Sequence, residues 1–496
     1  MPAQQASPIV GPEAIVAEPD AAELDCRSAG TCDVALDSPR GRWVLAAGTL
    51  GSMLVMLDGT VVNVALPRIG SHLHSDFAGM QWVLTGYLLT LASFILLGGV
   101  LGDRAGRRRV FVVGVVWFAA SSALCGVAPD IGVLVAARVL QGMGGALLTP
   151  SSLAIIQTVF RREDRARAIG AWSGLTGIAG ALGPFLGGWI VGSFSWRWIF
   201  LINLPLAAAV VALTLRHVPQ LLPTDQPGSL RALVAHLDPL GALLGVVGLA
   251  GTTYGLIRQS WAFGLTGAVV FALFVLWERG TREPVLPLGI FRSSQFSAVN
   301  LVTLGLYGAL NILMFVLVLA LQNGLGYSPL TAGAATVPIT VLMLAGSARA
   351  GDLAQRIGPR WPMTAGTLLV AGGMWMLVRL EPGQSWLAGV LPAMLVVGLG
   401  LTLTVAPLTA TAMATVAPDH VGIGSGVNNA VARGAGLVAI AVVPLIGGFD
   451  PNRPVTKAAL IAGMHRCMLA SAVVCAIFAV FAAVTIRSDA LTSSPA

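Results

Sequence analysis

Three ionisable side chains, Asp58, Arg138 and Arg433, stand well inside continuous apolar runs of about twenty residues. A charge in the middle of such a run costs about 2.5–3.5 kcal/mol on insertion scales, so a use for it is expected. Asp58 is the one carboxylate so placed. It lies near the far end of the first run, and Arg138 near the start of the fourth. At about 1.5 Å per residue both fall about 11–12 Å below the same surface, within reach of one aqueous cavity. An acid whose proton affinity changes with hydration and with a nearby cation is what proton coupling needs. A static Asp–Arg pair that only orients helices is the alternative. Gln141 follows one turn after Arg138 in R-V-L-Q-G-M-G-G-A (138–146), placed to hydrogen-bond in the same space, and the glycines there let backbones approach closely.

Other patterns leave two readings open. A-G-A-L-G-P-F-L-G-G (179–188) sets Pro184 among glycines, which suits either a passive kink or a gating hinge. Asn428, Asn429 and Arg433 in the thirteenth run line a substrate pathway or hold two helices together. The loop D-R-A-G-R-R-R (103–109) is either a plain basic loop or, with Asp103 buried against a helix terminus, a latch between conformations. His72 and His74 read as solvated residues rather than a metal pair. Five cysteines with no C-x-x-C or Cys/His cluster give neither a disulfide framework nor a zinc site. Cys26 and Cys32 lie in the polar N-terminal segment; Cys125, Cys467 and Cys475 sit in apolar runs as inert thiols. No phosphate loop, nucleophile–base set or metal quartet is present, so neither an enzyme nor an ATP-driven pump is expected, and no cofactor or metal is called for.

The elements that position these residues follow from composition. The chain is 56% hydrophobic and 10% charged, with a mean hydropathy of +0.82. A soluble domain is about a quarter charged, so this chain is read as a membrane protein. Its apolar runs are continuous, which excludes a transmembrane β-barrel. Fourteen spans are expected, at 43–66, 81–101, 109–128, 131–158, 168–192, 199–216, 238–257, 262–278, 297–321, 329–349, 361–379, 386–407, 421–448 and 467–486. The even-numbered connections carry the arginines: 104 and 107–109, then 161, 162, 165 and 167, then 279, 282 and 292, then 349, 356 and 360. By the positive-inside rule they face the cytoplasm, as do both termini. Loop 449–466, with Arg453, Lys457 and Arg466, argues the other way.

Charge is uneven along the chain. Residues 1–39 sum to −6, with acids from Glu13 to Asp37, while the rest sum to +13; short Arg-rich loops on a membrane body mark topology, not nucleic-acid binding. The segment 1–41 is expected to be a disordered cytoplasmic tail. It is followed by a six-helix bundle (42–216), two inserted helices with linkers (217–296), a second six-helix bundle (297–487) and a short tail (488–496). G-V-L-G-D-R-A-G-R-R-R (99–109) and G-D-L-A-Q-R-I-G-P-R (351–360) form a weak repeat between the bundles, with Gln355 in place of Asp103. Duplicated halves around a central site are a common plan for secondary transporters.

Taken in order, these motifs resemble the fourteen-helix drug:proton antiporter branch of the major facilitator superfamily, over about residues 42–487. The resemblance rests on L-D-G-T-V-V-N-V-A-L-P (57–67), G-x-L-x-D-R-x-G-R-R (99–108), L-x-x-x-R-x-x-Q-G-x-G-x-A (134–146), G-P-x-x-G-G (183–188), S-W-R-W-I-F-L-I-N-L-P (195–205) and N-N-A-V-A-R-G-A-G (428–436). It implies an all-α membrane fold of two six-helix bundles plus two inserted helices, in the plasma (inner) membrane. The implied activity is export of amphipathic or cationic small molecules, such as antibiotics, in exchange for protons, by a monomer in the lipid bilayer. A transporter dedicated to one metabolite, as exporter or symporter, is the second reading. By resemblance Asp58, Asn63, Arg138, Gln141, Asn428, Asn429 and Arg433 serve proton coupling and substrate. Gly99, Asp103, Arg104, Gly106 and Arg107 would form the latch, and Gly183, Pro184, Gly187 and Gly188 the antiport hinge. Ala179 departs from a glycine common in that last motif.

Overall fold

A computed structural model describes residues 33–220, 238–281, 284, 286–416, 421–450 and 455–491. The acids from Glu13 to Asp25, Cys26, Cys32, Arg282 and Arg453 lie outside the described residues. The helices are α1 Pro39–His72, α2 Phe77–Ala105, α3 Arg107–Val127, α4 Ile131–Val159, α5 Arg162–Ser193, α6 Trp198–His217, α7 Pro239–Ile257 and α8 Trp261–Gly280. Then follow α9 Ser294–Gly324, α10 Pro329–Ile357, α11 Arg360–Leu377, α12 Trp386–Ala414, α13 Val421–Gly447 and α14 Lys457–Thr485. The fold is all-helical. Among the described residues, thirteen helices are long and apolar enough to cross a membrane. The remaining expected span, α11, is 18 residues long and starts on an arginine, yet it packs between α12 and α14.

Helices begin where the chain supplies a cap. Ser38, Asp76, Asp130, Asp238 and Thr456 each accept the backbone N–H three residues on, and Pro39, Pro239 and Pro329 take first-turn positions where no N–H is needed. These caps lie beyond the apolar runs, so several helices exceed the expected spans. α1 starts at Pro39, and α14 starts at Lys457 rather than at 467. Arg466, expected in a loop, is therefore helical and folds its Nε back toward the Ala462 carbonyl. Ahead of α1, the end of the segment expected as a loose tail is held in place. Val34 bridges Phe160, the Leu36 N–H donates to Asp164 at 3.0 Å, and Asp37 pairs with Arg167.

Within the first six helices α2 packs on α4, α3 on α4, α1 on α5 and α1 on α6. The same pairings recur eight places later: α10 on α12, α11 on α12, α9 on α13 and α9 on α14. The repeat seen at 99–109 and 351–360 is thus a repeat of structure. Both loops turn on a glycine with positive φ, Gly106 at 95° and Gly358 at 82°, directly after a helix. The two sets meet through α2 with α13 and α5 with α10, exchanged partners of a pseudo-two-fold arrangement, while α7 lies against both α2 and α13.

That seam is closed at the end away from the Arg-rich loops. There Phe77 stacks near Phe315 and Phe449, Gln322 donates to the Val64 carbonyl at 2.9 Å, and Gln259 to that of Phe449 at 2.8 Å. Pro444 has no N–H for the Ile440 carbonyl one turn before it, and Gln81 Nε2 takes that carbonyl from α2 at 2.6 Å. Replacing Gln81 by Leu strands a buried carbonyl and is expected to weaken closure by about 1–3 kcal/mol. Pulsed spin-label distances across this end should lengthen; an unchanged distribution would show that the bond does not hold the seam. In the Arg-rich half α2 and α13 still touch, with Leu96 against Gly426, whereas α5 and α10 carry unpacked positions. A Cβ built on Gly170, Gly174, Gly177 or Gly351 meets nothing within 4 Å, and Val341, Leu344 and Leu353 are exposed.

Candidate functional site

Five helices of the first bundle converge on Asp58. α4 presents Arg138 and Gln141 one turn apart on the same face, α3 brings Ser122 and Cys125, α6 brings Asn203, and α2 lays Tyr87 alongside. Close approach is possible because a Cβ on Gly142 or Gly144 would run into α2 or α3 backbone. Arg138 Nη1 donates to Asp58 Oδ2 and to Gln141 Oε1, the latter at 2.7 Å. Gln141 Nε2 and Asn203 Nδ2 donate to Asp58 Oδ1 at 2.9 and 3.2 Å. Both amides also reach Ser122 Oγ, which donates to the Phe200 carbonyl at 2.9 Å. Arg138 Nε donates to the Val83 carbonyl, and its guanidinium lies 4.1 Å from the Tyr87 ring centroid.

The whole cluster is sealed. Asp58, Arg138, Gln141, Ser122 and Asn203 are each 0% exposed. The expected pairing is found, but inside the bundle rather than in an aqueous cavity, because α2 and α6 close over it. A buried ion pair of this kind depends on both members: removing either charge leaves the other uncompensated, at about 3–5 kcal/mol. Arg138 Nη2 has no partner among the described residues. The network is therefore incompletely satisfied as well as strongly charged, which suits an element that rearranges.

Two members were not singled out from sequence. Asn203 stands in S-W-R-W-I-F-L-I-N-L-P, and its amide within an apolar run was the available signal. Ser122 carried none, since small hydroxyls commonly bond back to their own helix. Cys125, read as an inert thiol, is buried 3.6 Å from Gln141 Oε1.

The other expected coupling residues lie elsewhere. Asn428 joins α13 to α9, donating to Asn300 and Thr303 at 3.1 Å each. Asn63 and Asn429 are half-buried and donate to their own helices, at the Gly59 and Ser425 carbonyls. Arg433 reaches across to the first bundle, with Nη2 3.5 Å from Met56 Sδ.

The glycines of α5 divide between two neighbours. Gly183 and Gly187 face Thr60 and Val61 of α1, whereas Pro184 and Gly188 face the start of α10. A Cβ on Gly188 would stand 2.5 Å from the Pro329 carbonyl oxygen and 2.9 Å from Leu330 Cα. At the Arg-rich end the expected burial of Asp103 is absent. Its side chain is 61% exposed and is taken by Arg107, the first residue of the following helix, across the Gly106 turn at 2.8 and 3.0 Å. Arg107 also donates to the Ala154 carbonyl, so it ties α3 to α4 inside one bundle. Gly106 makes the turn, Gly99 lies against Pro150 of α4, and Arg104 is half-buried. His72 and His74 are exposed, and no group of metal-ligating side chains occurs among the described residues.

Comparison with known proteins accords with this geometry. The puromycin resistance protein of Streptomyces alboniger is 36% identical over 421 residues, covering 82% of this chain and 81% of that protein. The tetracenomycin C resistance and export protein of Streptomyces glaucescens is 34% identical, covering 82% and 76%. The multidrug resistance protein Stp of Mycobacterium tuberculosis is 34% identical, covering 78% and 72%. Among solved structures, a bacterial homologue of the human lysosomal transporter Spinster, inward-facing and unoccupied, superposes with a TM-score of 0.65 at 17% identity, over 93% of this chain and all of that one. A D-xylose–proton symporter gives 0.62 at 16% identity, over 91% and 99%. Residues 48–441 match the Major Facilitator Superfamily as a whole, and the chain belongs to that family of membrane transporters.

Proposed function

We propose that this chain is a proton-coupled antiporter that exports amphipathic small molecules by alternating access, with Asp58 as the proton carrier. The sealed network around Asp58 is the observation that carries the proposal. A proton and Arg138 compete for the same carboxylate, and a protonated Asp58 leaves a buried guanidinium without its counter-charge. The packing seen here therefore accommodates the carboxylate form, and proton uptake favours a different arrangement of α1 against α4. A ligand shifts a two-state equilibrium by its differential affinity for the two states, and the proton is such a ligand. Relatives named for resistance to puromycin and export of tetracenomycin C support the same reading.

In this reading the Arg-rich end faces the cytoplasm of a cell bounded by the plasma membrane, with both termini inside. Gly183, Pro184, Gly187 and Gly188 then form the outer closing surface. Gly99, Asp103, Arg104, Gly106 and Arg107 take the corresponding role when the inner end shuts. Gln141 and Asn203 hold the carboxylate in place for Arg138. No step of this cycle needs a cofactor or a catalytic residue.

The test is accumulation of a fluorescent substrate in cells with and without an uncoupler. Cells expressing the protein should hold less dye until the gradient collapses. Gradient-dependent uptake instead would identify a symporter, and transport of one compound alone would identify a dedicated exporter.

A further inference from the structure

The charges at mid-depth do not balance. Asp58 is matched by Arg138 inside the first bundle, and Arg433 of α13 adds a second guanidinium. Among the described residues no carboxylate pairs with Arg433; its nearest polar contact is the Met56 thioether, a weak acceptor. Its position is fixed by helical register. Gly426 and Ile440, seven residues before and after it, both meet α2, at Leu96 and Gln81. Arg433 lies between them on the α13 face turned toward the first bundle. It is half-buried, and a Cβ on the adjacent Gly434 meets nothing within 4 Å.

Resting on the export reading above, we propose that Arg433 is the substrate anchor. The transported molecules then present an anionic or strongly accepting group to it, such as a carboxylate, a phenolate or an enolised carbonyl, rather than a cationic centre. An acceptor on the cargo supplies the guanidinium with the counter-charge that the described residues do not. The planar fork of Arg suits two-point contact with such a group. The half-buried amides of Asn63, Asn311 and Asn429 each donate one N–H back to their own helix. Each amide keeps a second N–H for cargo acceptors. A cation entering the same space meets repulsion from Arg433, and the mid-depth carboxylate among the described residues, Asp58, is fully buried against Arg138. This narrows the sequence expectation of amphipathic or cationic substrates by removing the cations.

The experiment uses purified full-length protein in detergent and two xanthene dyes of similar shape, anionic carboxyfluorescein and cationic tetramethylrhodamine methyl ester, read by fluorescence polarisation. Wild type should bind the anion about tenfold or more tighter than the cation. Arg433→Gln should remove most of that preference, and Arg433→Lys should keep part of it because charge survives while the fork is lost. Tighter binding of the cation by wild type, or failure of the anion to bind, overturns the proposal whatever the stability of the variants. A preference that survives Arg433→Gln within about twofold overturns it too. Binding needs no gradient, so this outcome is separate from the export reading, which falls if gradient-driven transport is absent in a protein that still prefers the anion.

Discussion

Asp58→Asn is expected to lower gradient-driven efflux by at least about a hundredfold, as befits loss of an essential proton-transferring group. Asparagine keeps the shape but offers one acceptor oxygen, so its NH2 faces a donor on one side of the site, and it cannot exchange a proton. It also leaves Arg138 uncompensated in a fully buried site, which is expected to destabilise the protein by about 3–5 kcal/mol. A second variant separates the two effects. Pairing Asp58→Asn with Arg138→Gln removes both charges, so thermal stability should recover substantially while efflux stays lost. Dye efflux from everted vesicles under an imposed pH gradient and thermal scanning of the purified proteins read both quantities. Full coupled transport by Asp58→Asn would eliminate Asp58 as the carrier. Loss of transport in the single variant with recovery in the double would make the pair a structural clamp only.

Gly188→Val is expected to force the closed end of the seam apart. Its Cβ would stand 2.5 Å from the Pro329 oxygen, a backbone atom that cannot swing aside. Overpacking of this kind costs about 1–3 kcal/mol, which shifts a conformational equilibrium by about 5–150-fold. The distance between spin labels at Ser195 and Asn323 should lengthen, and efflux should fall because one of the two alternating states is disfavoured. Gly177→Val, on the same helix but facing open space, serves as the control and should leave the distance unchanged. An unchanged distance in Gly188→Val would mean that α5 and α10 slide enough to absorb the side chain, and the closing-surface role would fall.

Much of this was legible before any coordinates because the bilayer is an unforgiving solvent. Backbone groups in hydrocarbon must be satisfied within the helix, so apolar runs translate into helices with few alternatives. Rare charges stand out against them, and equal depth from one surface was enough to bring Asp58 and Arg138 together. Hydropathy sees only the hydrocarbon layer, however. It missed the first turns of α1 and α14, whose caps Ser38 and Thr456 lie outside it, and therefore misplaced Arg466. It also missed the docking of Val34, Leu36 and Asp37, which depends on a partner 128 residues away for Leu36 alone. Asn203 and Ser122 were obscure for a related reason. Which face of α6 or α3 turns inward depends on helix rotation, and these nearly uniform apolar helices carry little periodic pattern to set it. Asp103 shows a further limit: the motif names a latch, but its local geometry already offers Arg107 as a partner.

The ion pair at the centre of the first bundle also constrains how the chain is made. Asp58 and Arg138 are separated by 80 residues. At about 5–20 residues per second, the ribosome delivers the arginine roughly 4–16 s after the aspartate. Through that interval α1 holds a carboxyl without its counter-ion, and protonation is the cheapest way to keep it in lipid. The same proton exchange later proposed for transport would then occur once during biogenesis, when α4 arrives and displaces the proton from Asp58. In the proposed cycle, assembly of the first bundle would pass once through the step in which Asp58 gives up its proton to pair with Arg138.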